Sequence, residues 1–158
     1  MRNVLIGVLL VGIAGGCAPS PRYTTSRQPP PSAGGETVKK AYDKPYMVYG
    51  IEYEPMEKAP LGKTFRGMAS FYGEDFHGKK TSTGEVFDMY GLTAAHKTLP
   101  LNTWVEVRNL GNKRTVIVRV NDRGPFVEGR LIDLSYGAAR EIHMVENGVQ
   151  EVEITILR

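Results

Sequence analysis

Two runs between residues 104 and 120 constrain this chain most. Residues 104–110, Trp-Val-Glu-Val-Arg-Asn-Leu, alternate: Val105 and Val107 fall on one face, Glu106 and Arg108 on the other. A period of two belongs to a strand with one buried face. Gly111-Asn112 supplies a turn, and residues 115–120 return as a strand nearly continuous in β-branched side chains. Further strands are predicted over 67–72, 131–134 and 150–157, the last with Val152, Ile154 and Ile156 directed inward. Ser135 offers an N-cap for a helix over 136–144, which Asn147-Gly148 ends. Eighteen glycines and ten prolines in 158 residues fit a turn-rich β protein better than a helical bundle. One all-β domain, a small barrel with one short helix, is therefore predicted over residues 66–158. A domain this small buries only about 60–65% of its surface, so closing the sheet matters for stability.

The segments before it differ in kind. Residues 45–65 carry Tyr46, Val48, Tyr49, Ile51, Tyr53 and Met56 without helical spacing, which predicts an extended brace packed on the barrel. Residues 17–44 hold Pro19, Pro21, Pro29, Pro30 and Pro31 among Ser, Thr and Gly, the composition of a disordered tether. Residues 1–16 have Arg2 and then an apolar run from Val4 to Ala14. That run is too short to span a membrane and fits a secretory signal. It ends Ala14-Gly15-Gly16-Cys17, which resembles a bacterial lipobox. The resemblance implies cleavage before Cys17 and lipidation of it, hence a membrane-anchored lipoprotein facing the periplasm. Ala18, where an aspartate would favour the inner membrane, points to the outer one. The alternative is a plain secreted protein with a free thiol.

Cys17 is the only cysteine, which excludes a disulfide scaffold, a zinc ribbon and a CxxC redox site. The formal charge of +3, which becomes +2 when Arg2 leaves with the signal, is too weak to argue for a nucleic-acid partner. His77, His96 and His143 show neither metal-ligand spacing nor an HExxH pattern, so no metal is expected.

Two polar loops, residues 72–85 and 121–126, are the candidates for chemistry. Asp122 follows an apolar strand, where a rigid scaffold can present a catalytic group. It also fits an Asx-type turn ahead of Gly124-Pro125. Glu85 and Asp122 are the carboxylates to pair. Glycan cleavage needs a protonated acid at the leaving oxygen and negative charge near the oxocarbenium ion. Asp88, Glu106 and Asp133 compete, with Asp133 assigned to an arginine (Arg123 or Arg130) or to the helix cap. His96, among small apolar residues, is open to a structural or a site role. The aromatics are mostly core, with one or two near the loops able to stack on sugars.

Taken together, several motifs resemble one family. They are Ala69-Ser70-Phe71-Tyr72-Gly73, Phe76-His77-Gly78-Lys79-Lys80-Thr81, Gly84-Glu85, the run from Leu92 to Pro100, Val120-Asn121-Asp122-Arg123-Gly124-Pro125-Phe126, and Arg130-Leu131-Ile132-Asp133-Leu134-Ser135. In this order they resemble the rare lipoprotein A (RlpA) family of septal-ring lytic transglycosylases, and the resemblance covers residues 45–158. It implies a six-stranded double-psi β-barrel. It implies endolytic cleavage of the β-1,4 bond between N-acetylmuramic acid and N-acetylglucosamine, with the muramoyl 6-hydroxyl as nucleophile, a 1,6-anhydro end and a preference for glycan free of stem peptides. Carried over, Asp122 is the acid/base, Glu85 the second essential carboxylate, and His96 lines the same cleft. Tyr72, Phe71, Arg123 and Lys97 are the substrate-binding expectations. No cofactor is implied, and the chain is read as a monomer whose partners are glycan strands and, through Cys17, a membrane. The family usually has Trp where Phe71 stands, so an indole N–H is lost. Many members carry a C-terminal SPOR domain, and this chain is expected to be a variant without one. The rival expectations are a non-catalytic, expansin-like peptidoglycan binder and a structural lipoprotein.

Overall fold

A computed structural model describes residues 44–158. The expectations for the leader, for Cys17 and for the tether up to residue 43 lie outside these residues. Tyr46–Val48 (β1) and Ile51–Tyr53 (β2) form an antiparallel hairpin. The single extended brace is thus folded back on itself at Tyr49 and Gly50, which both take positive φ. Their order, Tyr-Gly, is not one of the usual hairpin turn signals.

Six further strands close into a barrel. They are β3 (Thr64–Tyr72), β4 (Thr93–His96), β5 (Trp104–Asn109), β6 (Thr115–Asp122), β7 (Arg130–Ser135) and β8 (Gln150–Ile156). The order around the barrel is β3-β7-β4-β6-β5-β8. The β3–β7 and β4–β6 pairs are parallel and the other four are antiparallel. Alternation decides the interior: Val105, Val107, Val118, Val120, Ile132, Leu134, Val152, Ile154 and Ile156 are buried in one cluster. Closure leaves these six strands no free edge to pair with another chain.

The helix α1 (Tyr136–Glu141) begins where the sequence places it: Ser135 Oγ accepts from Ala138 N at 3.2 Å. It ends three residues before the expected Met144, because the Asn109 and Asn112 side-chain amides take the Ile142 carbonyl at 3.1 and 2.8 Å. His143 then has positive φ, and residues 145–147 make a short 3₁₀ turn.

Two bulges shape the end of the barrel that matters here. On β6, Val120 pairs with Ala94 and Asp122 with Ala95, so Asn121 is the extra residue. On β7, Arg130 pairs with Met68 and Ile132 with Ala69, so Leu131 is extra. Gly67 makes room for the second bulge, since a Cβ there would lie 2.8 Å from Leu131 Cβ. Bulges re-aim side chains, and both here precede an aspartate by one or two residues.

Candidate active site

A groove of about 850 Å³ opens at these bulges. Its walls include Tyr72, Phe76, Tyr90, Phe126 and Tyr136, and its floor carries Ser70, Ala95, Asp122 and Asp133. Aromatic faces beside carboxylates suit a sugar chain, which offers apolar ring faces and hydroxyl donors. Among the described residues, no group of three or more His, Cys, Asp or Glu could hold a metal ion.

Asp122 is the last residue of β6, not a loop residue after it. Its Oδ1 accepts from Ser82 N at 2.9 Å, Ser82 Oγ at 2.6 Å and Arg123 N at 2.8 Å. Ser82 is delivered by a tight turn, in which Thr81 N reaches Glu85 O and Gly84 N reaches Thr81 O, both at 2.8 Å. Thr83 N also donates to Asn121 O at 3.2 Å, so the turn docks on the bulge itself.

Glu85 closes that turn but does not line the groove. Arg119 grips it in a fork, Nη1 to Oε1 at 2.8 Å and Nη2 to Oε2 at 2.7 Å, and Asn121 Nδ2 adds a bond at 3.2 Å. Arg119 holds the Glu85 carboxyl below the usual glutamate range. A bidentate pair fixes geometry as well as charge. Here it fixes the turn that presents Ser82 to Asp122. Asp122 lines the groove and Glu85 stands behind it, on the turn.

His96 does not line the groove either, against the expectation that it would. It pairs with Ile132 on the core side and is buried. Its Nδ1 accepts from Thr98 N at 3.1 Å and Leu99 N at 3.0 Å, which places the ring proton on Nε2. Burial, then Arg123 and Lys97, push its pKa down to about 4. The imidazole is a neutral brace for the turn after β4.

The four expected substrate contacts divide. Tyr72, Phe71 and Arg123 line the groove; Lys97 does not. Lys97 Nζ instead donates to Arg130 O at 3.0 Å, and its carbonyl takes Tyr46 Oη at 2.7 Å. Arg123 Nη1 donates to Leu99 O at 2.5 Å and His96 O at 3.3 Å, and its guanidinium lies 5.9 Å from the Tyr46 ring centre. Tyr46 and Tyr53 in turn pack on Phe126, with ring centres 6.1 and 5.5 Å apart. The hairpin therefore buttresses one wall of the groove. The Tyr72 hydroxyl is buried without a partner, and burial together with Asp122 and Asp133 raises its pKa. A buried donor without a partner is a polar group that the fold leaves unsatisfied.

Asp133, which the sequence offers only as a competing carboxylate, lines the groove. The expected arginine contact is loose, with Arg130 Nη1 3.9 Å away, and Ser135, not Asp133, caps the helix. Ser70 Oγ donates to Asp133 at 2.5 Å. A signal was present: an acidic residue in the middle of Leu-Ile-Asp-Leu must face something other than the core.

Comparison with known proteins decides the family. The model of the lytic transglycolase family matches residues 64–154, which is the whole barrel but the last strand's end. The chain belongs to the lytic transglycolase family. Within it, a Helicobacter pylori protein named endolytic peptidoglycan transglycosylase RlpA is 53% identical over 121 residues, covering 77% of this chain and 38% of that relative. A Vibrio cholerae protein of the same name is 42% identical over 170 residues, covering 99% of this chain and 64% of the relative. The chain thus spans less than two thirds of the length of these relatives. Among solved structures, the Streptomyces papain inhibitor superposes with a TM-score of 0.52 at 25% identity, over 63% of this chain and 98% of its own. A mutant Clavibacter michiganensis expansin in complex with cellohexaose has a TM-score of 0.50 at 19% identity, over 61% of this chain and 51% of its own, a likeness of fold. The family's double-psi barrel is the six-stranded closed barrel seen here.

Proposed function

We propose that this chain is an endolytic lytic transglycosylase of peptidoglycan. It cuts the β-1,4 bond between N-acetylmuramic acid and N-acetylglucosamine, leaves a 1,6-anhydro end and prefers glycan without stem peptides. The names of its relatives support the activity, and one observation on this chain carries it. Asp122 is held at a groove floor by three donors on a single oxygen, beside aromatic walls.

Protonating the glycosidic oxygen makes it a leaving group, and the 6-hydroxyl of the same muramoyl unit attacks C1 once its proton is removed. No separate water needs activating, so one acid/base carboxylate suffices in the simplest scheme. Holding the reacting groups in near-attack geometry supplies much of the rate. In this reading Cys17 carries the lipid and the barrel faces the periplasm from the outer membrane.

The test uses the purified full chain and its Asp122→Asn variant, each incubated with intact sacculi and with amidase-stripped glycan. Mass spectrometry should show anhydro-muramoyl fragments from the wild type only, with sacculus binding kept by both. Reducing muramic ends would instead mean a hydrolase. Binding without fragments from either protein would mean a non-catalytic module.

A further inference from the structure

A second carboxylate belongs to the groove floor, and strand register fixes where it stands. Ala95 on β4 pairs with Asp122 on β6 to one side and with Asp133 on β7 to the other. Ser70 on β3 pairs with Asp133 in turn. Residues directly opposite in neighbouring strands project from the same face. Asp122, Ala95, Asp133 and Ser70 therefore make one row across four strands, and all four line the groove. Two strand spacings, roughly 10 Å, separate the backbones of the two aspartates. Between them stands only the methyl group of Ala95. Carboxyl pairs that cleave glycosidic bonds stand about 5–10 Å apart, with the bond between them.

The two carboxyls have different neighbours. Asp122 Oδ1 is taken by three donors. Asp133 is met by Ser70 alone, through its Oγ at 2.5 Å and its backbone N–H, with Arg130 Nη1 3.9 Å away. Its burial raises its pKa, opposed by Ser70, Arg130 and Lys97, and Tyr72 and Asp122 face it across the groove. Burial that favours the protonated form of a carboxyl is the environment a general acid needs.

We infer that Asp133 is the proton donor of the reaction and Asp122 the proton acceptor. The inference rests on the transglycosylase reading above. The C1–O4 bond breaks, and the departing O4 takes the proton of Asp133. The C1–O6 bond forms within the same muramoyl unit, and the 6-hydroxyl proton passes to Asp122. Each carboxyl ends in the other's starting state, and proton exchange with solvent resets both. Ala95 is small because the bond must fit between them.

The test compares the full chain with Asp133→Asn, Asp122→Asn and Ser70→Ala on two substrates. One is amidase-stripped glycan; the other is a 2,4-dinitrophenyl glycoside of a muramoyl-terminated glycan, whose leaving group needs no proton. Asp133→Asn should lose about 10²–10⁴-fold on glycan, stay within about tenfold of wild type on the activated glycoside and still bind glycan. Asp122→Asn should fail on both substrates. Ser70→Ala removes a donor that favours the ionised form, so the alkaline limb of its kcat/KM profile should move up; it carries the test if Asp133→Asn does not fold. Glycan cleavage by a folded Asp133→Asn within about tenfold of wild type, equal losses on both substrates, or an unmoved limb in Ser70→Ala would overturn the assignment and leave the activity standing. No product from the wild-type chain would overturn both.

Discussion

Ser82 and Asp122, forty residues apart in sequence, are joined twice: the Ser82 N–H and its Oγ both donate to Asp122 Oδ1, at 2.9 and 2.6 Å. The strand end supplies the carboxylate, and a separate turn aims it. Catalytic groups held by packing and hydrogen bonds keep their geometry without reorganising during the reaction.

Removing half of that clamp gives the first prediction. Ser82→Ala leaves the N–H of residue 82 in place, together with the Arg123 N bond. We expect kcat/KM on stripped glycan to fall about tenfold, equivalent to ~1.4 kcal/mol. The melting temperature should hardly change. A wild-type rate would show that the hydroxyl does not aim Asp122.

The second concerns Glu85 and Arg119. Both side chains are partly exposed, so water and salt screen the pair. A double-mutant cycle of Glu85→Gln and Arg119→Met should return a coupling of about 1 kcal/mol that shrinks in high salt. Because the Glu85 pKa is lowered on folding, its contribution is present above the unfolded glutamate value. It is lost as pH falls through the folded value. Glycan cleavage should drop in both single variants, because the turn that carries Ser82 loosens. Zero coupling with wild-type cleavage would remove Glu85 from any role in positioning.

The third separates a structural histidine from a catalytic one. With a folded pKa pushed down to about 4 from 6.5, His96 should show no ring-proton titration by NMR between pH 5 and 8. Its contribution to stability is present above the unfolded value and is lost as pH falls from about 6.5 towards 4, since the unfolded chain takes a proton the folded chain refuses. His96→Ala leaves the Thr98 and Leu99 N–H groups without an acceptor and should cost at least ~2 kcal/mol in urea unfolding. Titration near the ordinary histidine value would place His96 in contact with water and reopen a proton-transfer role.

How much of this was legible in the sequence depended on period. The β5–β6 hairpin follows from Val105, Val107, Val116 and Val118, whose alternation is set by the core they fill. Ser135 as helix cap was equally readable, because capping is a local bond. β4 was not readable: Thr-Ala-Ala-His is four residues long, has no apolar alternation and becomes a strand only because β6 and β7 flank it. The hairpin of β1 and β2 was read as one strand, since its turn residues carry no usual signal. Asp122 was singled out as the site residue, and it does line the groove. Glu85 is named beside it as the second carboxylate, and only the partner Arg119, which nothing in the spacing of residues 85 and 119 betrays, shows where that carboxylate goes. Asp133 carried a visible signal, an acid among apolar neighbours, but its direction depends on the bulge at Leu131.

In the row of Ser70, Asp133, Ala95 and Asp122 no two strands that pair are consecutive in the chain, and two of the three pairings are parallel. Such pairings close long loops and form late. The groove floor therefore has no partial version: a chain still threading towards its final shape holds one aspartate or the other, but not both facing a common gap. Whatever cutting power this protein has is born with the finished barrel, and an unfinished chain is inert. A single break in β4 would return the molecule to that silent condition.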